Sequence, residues 1–584
     1  MKKDFPVTPP VKRMMTLAEW RKNAPLFFFF SRDTLKKPFN HSVSLIERAE
    51  RILKGEIQFF NGEWKSLAPD DWLTNILSGH KYDNNLHWTQ IPDFHPACGD
   101  IKYVWEKNRF LFLQTILRYD QQTASDSSAW VFSQIESWIK NNPINQGPNY
   151  RCSQEISIRL FNWMLALYFY RDSKNLTEER FNIILFHVYW QLRHVRANIH
   201  FSRIAVRNNH AITETLALYT AGLLFPFFEE SREWKLQGKK WFEEEIAYQI
   251  YPDGSYLQFS YNYHRVVIQL LTWAISLADI HGEKFKPVVY ERAMASLFFL
   301  LHAQDPVSGG LPNYGANDGS LFFNWNDEDF RNFRPALDTL HFLLTGENIY
   351  STSYDDRMWF GVNNSLKMFK PVWLAEGTAS FPDGGIHVFR TKDMLVWINC
   401  LHYKDRPLQA DNLHLDVWYN GENILLDAGS YRYNTSEDKV KYFSGTEAHN
   451  TVMLGDYDQM LKGPRFIWLD WSKRLSAQWE GKIFSAEALV YGYLGNISHK
   501  RTVKIEANHL VVTDEMKGSE GKLLRQLWHV NPLSKVGIEL LTNGDAKRIE
   551  REGFYSSTYG SISPSRQIEF QTLAGRLTTE ISFT

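Results

Sequence analysis

Between about residue 100 and residue 370 apolar side chains recur at helical spacing, as in Ile156, Leu160, Trp163 and Leu167, and again in Phe181, Ile184, Leu185 and Val188. Residues three or four apart share one face of a helix, so these runs predict helices packed on one side. Thr177 ahead of Glu178 and Glu179 predicts an N-cap followed by acids that suit the positive end of the helix dipole. The short polar link at 171–175 predicts that successive helices pair as antiparallel hairpins. After about residue 378 the period falls to two: Val503, Ile505 and Ala507 alternate with polar neighbours, and short runs at 394–400, 423–426, 450–454 and 509–513 lie between Gly and Asp residues. That texture predicts an antiparallel sheet domain opened by Phe381-Pro-Asp-Gly-Gly. The expected division is a helical domain over 1–375, with 1–95 as its N-terminal helical portion, and a sheet domain over 376–584.

A chain of 584 residues is longer than one core usually organises, which agrees with two domains. The apolar run at 26–30 is too short to cross a bilayer and reads as core, so no membrane association is expected. With 65 Lys plus Arg against 66 Asp plus Glu, net charge gives no pull toward nucleic acid. Cys98, Cys152 and Cys400 are too few and too scattered for a disulfide framework or a thiolate zinc site. The first residues carry lysines without a following apolar stretch, so the expected location is cytoplasmic as written, and periplasmic if a processed leader once preceded them. Aromatic residues make up 15% of the chain; their faces can stack on sugar rings, although large cores use them equally.

Three constellations could carry chemistry. In the first, Arg207-Asn208-Asn209-His210 opens an apolar helical run, with Glu214 one turn further on. An amide beside an imidazole suits a site that binds a carboxylate and moves a proton, while the commoner use is an N-cap by Asn208 or Asn209 with a core histidine. In the second, Asp253, Gln258, Tyr261, Tyr263 and Arg265 follow one another closely, and a cation near a tyrosine would make its phenol more acidic. Aromatic packing is its ordinary alternative. In the third, Asp411, Asn412, His414, Asp416, Asp427, His449 and Asn450 lie on successive sheet segments. Two histidines and an aspartate there could hold zinc, and strand alternation would put Asn412, His414 and Asp416 on one side.

Taken in order, Gly147-Pro-Asn-Tyr-Arg151, Asn209-His210, Asp253 to Tyr263, Pro312-Asn-Tyr-Gly-Ala-Asn317-Asp318, Asp411-Asn-Leu-His414, Asp427-Ala-Gly and Ala-His449-Asn resemble the heparinase II/III superfamily of polysaccharide lyases. The resemblance runs from about residue 100 into the sheet domain. It implies an α+β chain, an incomplete α/α toroid of helical hairpins followed by an antiparallel β-sandwich, with the active site between them. It implies β-elimination on an acidic polysaccharide or oligosaccharide containing uronic acid, of glycosaminoglycan or bacterial type. Asn209 would neutralise the uronate carboxylate, and His210 and Tyr263 would handle protons. His414, Asp427 and His449 match the family's metal positions, so a structural divalent metal, zinc, is expected, with no organic cofactor. Arg151, Arg207, Gln258, Arg265, Asn317, Asn412 and Tyr433 are the expected substrate-binding residues. Two positions depart from the pattern: Gln258 stands where a Glu is common, and Asn412 where heparinase II-like members have a histidine, which bears on the identity of the base and the epimer taken.

Elimination needs a base at C5 and an acid at the glycosidic oxygen. A phenol with an ordinary pKa of ~10 needs a cation such as Arg265 or a protonated histidine to act as base, whereas an imidazole at ~6.5 is already suited to it. Tyr263 is therefore expected as acid, with either Tyr263 or His210 as base. A glycoside hydrolase using two of Glu214, Asp253 and Asp318 is the rival enzyme, and a glycan-binding protein without turnover the rival from another class. The presence of Asn209, His210 and Tyr263 together favours the lyase. Sulfated substrates would need a basic cleft, for which Lys102, Lys107, Arg109, Arg151, Arg203 and Arg207 are candidates.

Overall fold

The computed structural model describes residues 15–29, 31–35, 42–68, 70–92, 94–372, 375–495 and 497–584. Long helices fill the stretch from Lys102–Asn108 to Arg334–Thr345. The two helices predicted around the 171–175 link are Ser153–Phe169 and Glu178–His200, and Thr177 Oγ1 caps the second by accepting the Arg180 N–H at 3.3 Å. The next hairpin, Asn209–Leu224 with Ser231–Gln249, is closely packed because each helix turns a glycine to the other. A Cβ on Gly222 would lie 2.6 Å from Lys235 N, and one on Gly238 2.6 Å from Tyr219 N. This contact fixes the helix whose first turn carries Asn209 and His210.

Ahead of these, residues 15–95 hold the helices Leu17–Asn23 and Val43–Leu53, then a hairpin of Glu56–Gln58 with Trp64–Ser66 and a series of turns, so this portion is helical only in its first half. Phe27 and Phe28 are buried against Trp273 and Phe29 against Phe169 and Trp359, as expected of core, while Phe30 lies outside the described residues. So do residues 1–14, on which the expectation about a leader rests. No helix among the described residues is long and apolar enough to cross a membrane.

The sheet domain is antiparallel throughout. Its larger sheet runs from Lys547–Tyr555 through Ser563–Thr572, Leu524–Val530, Glu422–Leu425, Leu415–Tyr419, Met394–Asn399 and Ile386–Arg390 to Gly377–Phe381, with Val452–Leu454 also paired to Leu524–Val530. The smaller runs Lys473–Glu480, Ile483–Val490, Ile497–Glu506, His509–Lys517, Arg576–Phe583 and Ile538–Thr542. Val396, Ile398, Leu415 and Val417 of the first sheet meet Phe484, Val503, Val512 and Ile581 of the second to form the sandwich core. Val503 and Ile505 are buried as their alternation predicts, and Ala507 lies in the turn beyond the strand. The other face of the larger sheet, through Trp397 and Trp418, joins the core of the helical domain.

Polar contacts then lock the two domains. Asp253 Oδ2 accepts the N–H groups of Asp383 and Gly384 at 2.6 and 3.2 Å, Arg390 donates to the Leu301 and Gln304 carbonyls, and Trp397 donates to Tyr261 Oη at 2.6 Å. An incomplete toroid of helical hairpins backed by a β-sandwich is thus the observed architecture.

Candidate active site

The Glu178–His200 helix widens into a π-helical turn, Phe201–Val206, and Arg207 then takes a left-handed φ of 42°. Asn208 is extended and its side chain caps the next helix on the His210 N–H at 3.0 Å. With Asn208 serving as the cap, the Asn209 and His210 side chains are left for other work in the first turn. The Asn209 backbone N–H donates to Gln258 Oε1 at 3.0 Å, and Tyr256 Oη donates to the same oxygen at 2.8 Å. Gln258 therefore supports the motif from behind. It uses an acceptor oxygen that a glutamate would also offer, so this departure leaves the local geometry intact.

His210 Nδ1 lies 3.8 Å from Cys152 Sγ. Burial pushes its pKa down to about 4, against the nearby Glu155 and with some help from Lys102, so the ring is neutral at pH 7. Tyr263 enters from the start of Tyr261–Ile280, a helix capped by Ser260 Oγ, and its hydroxyl is hydrogen-bonded to that of Tyr433 from the sheet domain. Burial first, then the negative charge of Asp318, hold the Tyr263 phenol well above its ordinary pKa. Asp318 is itself ion-paired with Lys102 Nζ at 2.5 Å, and that ammonium sits 4.5 Å from the Tyr433 ring and 5.2 Å from the Tyr559 ring. Tyr559 bonds in turn to Asp100. Neither Tyr559 nor the pairing of Lys102 with Asp318 has any local pattern in the sequence: the ion pair joins distant segments of the helical domain, and Tyr559 arrives with the docking of the sheet domain.

Arg265 needs correction. Its guanidinium donates to the Phe330 carbonyl and to Asn262 Oδ1, and lies 4.4 and 4.3 Å from the Phe330 and Phe333 rings, so it braces the helical domain and does not acidify Tyr263. Asn412 is the second correction. It lies in a turn before the strand Leu415–Tyr419, where Leu413 has a φ of 63°, and the alternation expected of 412, 414 and 416 fails there. Its side chain is consumed by Leu401 N, Leu401 O and Ser472 Oγ at 2.9, 3.1 and 3.0 Å. Asn317 binds across the domains, its N–H to Ser430 Oγ at 2.8 Å, and so fixes the segment that carries Asp318. Arg151 is placed 5.8 Å from the Trp88 ring beside Cys152, and Arg207 stacks 3.3 Å from the Tyr248 ring with Glu245 at 3.6 Å. Of the remaining basic candidates, Lys107 is buried against the Ala68 and Asp71 carbonyls, Arg109 lies between Glu106 and Glu155, and Arg203 pairs with Glu244.

The carboxylates of the rival hydrolase are dispersed in separate contacts: Glu214 with Ser202 Oγ at 2.7 Å, Asp253 with the 383–384 backbone, and Asp318 with Lys102. Each is thus committed to a contact of its own, where hydrolysis calls for a pair flanking one bond.

In the sheet domain His414 Nε2, His449 Nε2 and Asp427 Oδ2 are buried without a hydrogen-bond partner. Asp427 Oδ2 is 3.5 Å from His449 Nε2 and 4.0 Å from His414 Nε2. Two ligands of one tetrahedral zinc ion lie about 3.3–3.5 Å apart, so the donors fit a metal in kind, although no group of three or more His, Cys, Asp or Glu among the described residues forms a metal-holding cluster as it stands. His449 is turned for it, with Nδ1 on the Gly445 carbonyl at 2.8 Å. His414 Nδ1 instead faces the Asn450 N–H at 2.8 Å, which places its own proton on Nε2.

A helical toroid backed by a β-sandwich is a fold shared with polysaccharide lyases. The chain belongs to the heparinase II/III-like family: residues 57–304 match the heparinase II/III N-terminus and residues 375–574 the heparinase II/III-like C-terminal domain. It is 23% identical over 503 residues to a heparin-sulfate lyase of Bacteroides stercoris, covering 79% of this chain and 69% of that one. A heparin-sulfate lyase of Bacteroides thetaiotaomicron is 22% identical over 528 residues, 86% of this chain and 70% of that one. Among solved structures, a crystal structure of heparinase III superposes with a TM-score of 0.66 at 17% identity, covering 95% of this chain and 88% of that one. The chondroitin AC lyase of Streptomyces coelicolor A3 shares the fold more distantly, with a TM-score of 0.53 at 12% identity and coverage of 92% and 78%.

Proposed function

We propose that the protein cleaves a glycosaminoglycan-type chain at a uronic acid, with Asn209, His210 and Tyr263 as the reacting centre. The feature that carries this reading is that His210 and Tyr263 both lie within the field of Asp318, with burial favouring the neutral imidazole of one and the protonated phenol of the other. Asn209 hydrogen-bonds the uronate carboxylate and stabilises the charge that builds on it as the C5 proton leaves. His210 takes that proton. Tyr263 gives its own to the C4 oxygen as the C4–O bond breaks, leaving a C4–C5 double bond on one product and a hydroxyl on the other. The proton on His210 then returns to the Tyr263 phenolate through solvent, and Tyr433, bonded to Tyr263, holds the phenol in place meanwhile. The heparin-sulfate lyase relatives support a sulfated or unsulfated glycosaminoglycan as substrate. Incubation with a panel of uronate polymers tests the reading: elimination yields products that absorb in the ultraviolet, and cleavage without absorbance would establish hydrolysis instead.

We also propose a structural divalent metal, zinc, held by His449, Asp427 and His414. It would tie three sheet segments together. Chelation is expected to lower the thermal midpoint; purified protein that contains no divalent metal by elemental analysis, and gains no stability from added zinc, would remove the claim.

A further inference from the structure

On the helical wall of the cleft Lys102, Arg109, Arg203 and Arg207 each face a carboxylate. The sheet wall is different. Arg406 is exposed in the loop before His414 and makes no ion pair among the described residues. Its neighbours are already matched, Lys404 with Asp383 at 2.5 Å and Asp405 with the Tyr248 and Tyr251 hydroxyls. Lys462 is bound to the Arg465 carbonyl at 2.7 Å and lies 4.4 Å from the Trp468 ring, also without an ion pair among the described residues. Asp458, the acid whose field reaches Lys462, has Oδ1 committed to the Thr446 N–H at 2.7 Å.

The loop that carries Arg406 and the hairpin that carries Lys462 meet beside Tyr433. The charge of Arg406 acts on both Lys462 and Tyr433. Lys462 belongs to a small hairpin, Leu461–Lys462 with Trp468–Leu469, which Trp468 Nε1 ties to the Arg406 loop through the Leu408 carbonyl at 3.1 Å. The hairpin brings the Phe466 ring to 5.2 Å from that of Tyr433, whose hydroxyl meets Tyr263. Two like charges on adjoining segments repel, and an anion placed between them relieves that cost.

We propose that Arg406 and Lys462, beside Phe466, bind a second anionic group of the substrate, a sulfate or the carboxylate of a neighbouring uronate, next to the sugar being cleaved. The choice of ligand rests on the uronate-lyase reading. Phe466 supplies an apolar face for the sugar ring that carries the anion, and the cations supply charge-assisted hydrogen bonds to it.

The test is calorimetric titration of the full chain carrying Tyr263→Phe, with and without Arg406→Gln and Lys462→Gln. The probes are a heparan sulfate tetrasaccharide, its unsulfated counterpart and an unsulfated disaccharide with a single uronate. Each cation removed is expected to weaken binding about tenfold. If the anion is a sulfate, only the sulfated tetrasaccharide weakens; if it is a neighbouring carboxylate, both tetrasaccharides weaken. The disaccharide is expected to be indifferent in either case. Unchanged affinity for all three probes, equal weakening of all three, or no binding by the parent would overturn the proposal. The ultraviolet assay on the unmutated protein decides the lyase reading separately, since the subsite can survive a failure of elimination.

Discussion

His210 and His449 are both driven toward the neutral imidazole by burial, yet His210 keeps some exposure to solvent and His449 has none. His210 stands half-buried in the first turn of a helix at the meeting of two domains, near Asp318 and Lys102. His449 is fully buried within the sheet domain, its Nε2 pointed at Asp427 and its ring 5.5 Å from that of His414. The same desolvation thus prepares a proton acceptor in one setting and a ligand in the other. Access, more than basicity, separates the two roles.

Tyr263→Phe is expected to break the boundary site most severely, lowering kcat by about 10²–10⁴-fold with the fold intact. A folded variant that keeps most of its turnover would defeat the assignment. Asn209→Ala should follow, at about 10²–10³-fold in kcat measured on the same substrate, because only a transition-state contact to the carboxylate is lost. His449→Gln should separate the two clusters: thermal melting is expected to report a loss of about 2–3 kcal/mol, while turnover per folded molecule stays within about twofold. The smallest effect is expected near neutrality. With His210 at about 4 and Tyr263 far above 10, neither titrates between pH 6 and 8, so initial rates should be flat there. Activity should fall only as pH drops through about 4, when His210 takes up a proton, and an inflection near 6.5 would show an unshifted imidazole. Over the same acid range stability should decline. His187 is held down to about 4 and His194, His264 and His387 to about 3, so below pH 6.5 the unfolded chain binds protons that the folded one refuses.

The features legible in the sequence are local ones. Thr177 and Asn208 announce their helices because a cap is written within three residues, and Val503 and Ile505 announce a strand because the pleat repeats every second residue. Arg265 misled for a geometric reason. Two residues along a helix is a turn of roughly 200° about its axis, which sends Tyr263 toward the sheet domain and Arg265 toward Phe330. Asn412 misled because a single left-handed residue, Leu413, converts an apparent strand into a turn. The environment of Tyr263 depends on Asp318, Tyr433 and Tyr559, brought in from distant segments, and no spacing rule reaches that far. Ordered motif resemblance, in contrast, is what singled out Asn209, His210 and Tyr263, without any knowledge of which atoms would meet.

The bond between Tyr263 and Tyr433 spans 170 residues. At ribosomal speeds of about 5–20 residues per second, the first tyrosine is made roughly ten to thirty seconds before the second. During that interval the nascent helical domain already carries Asn209, His210 and Tyr263, but the phenol has no hydroxyl to hold it. Translation itself therefore acts as a timer, and the proposed reacting centre is complete only once the sheet has been synthesised and docked.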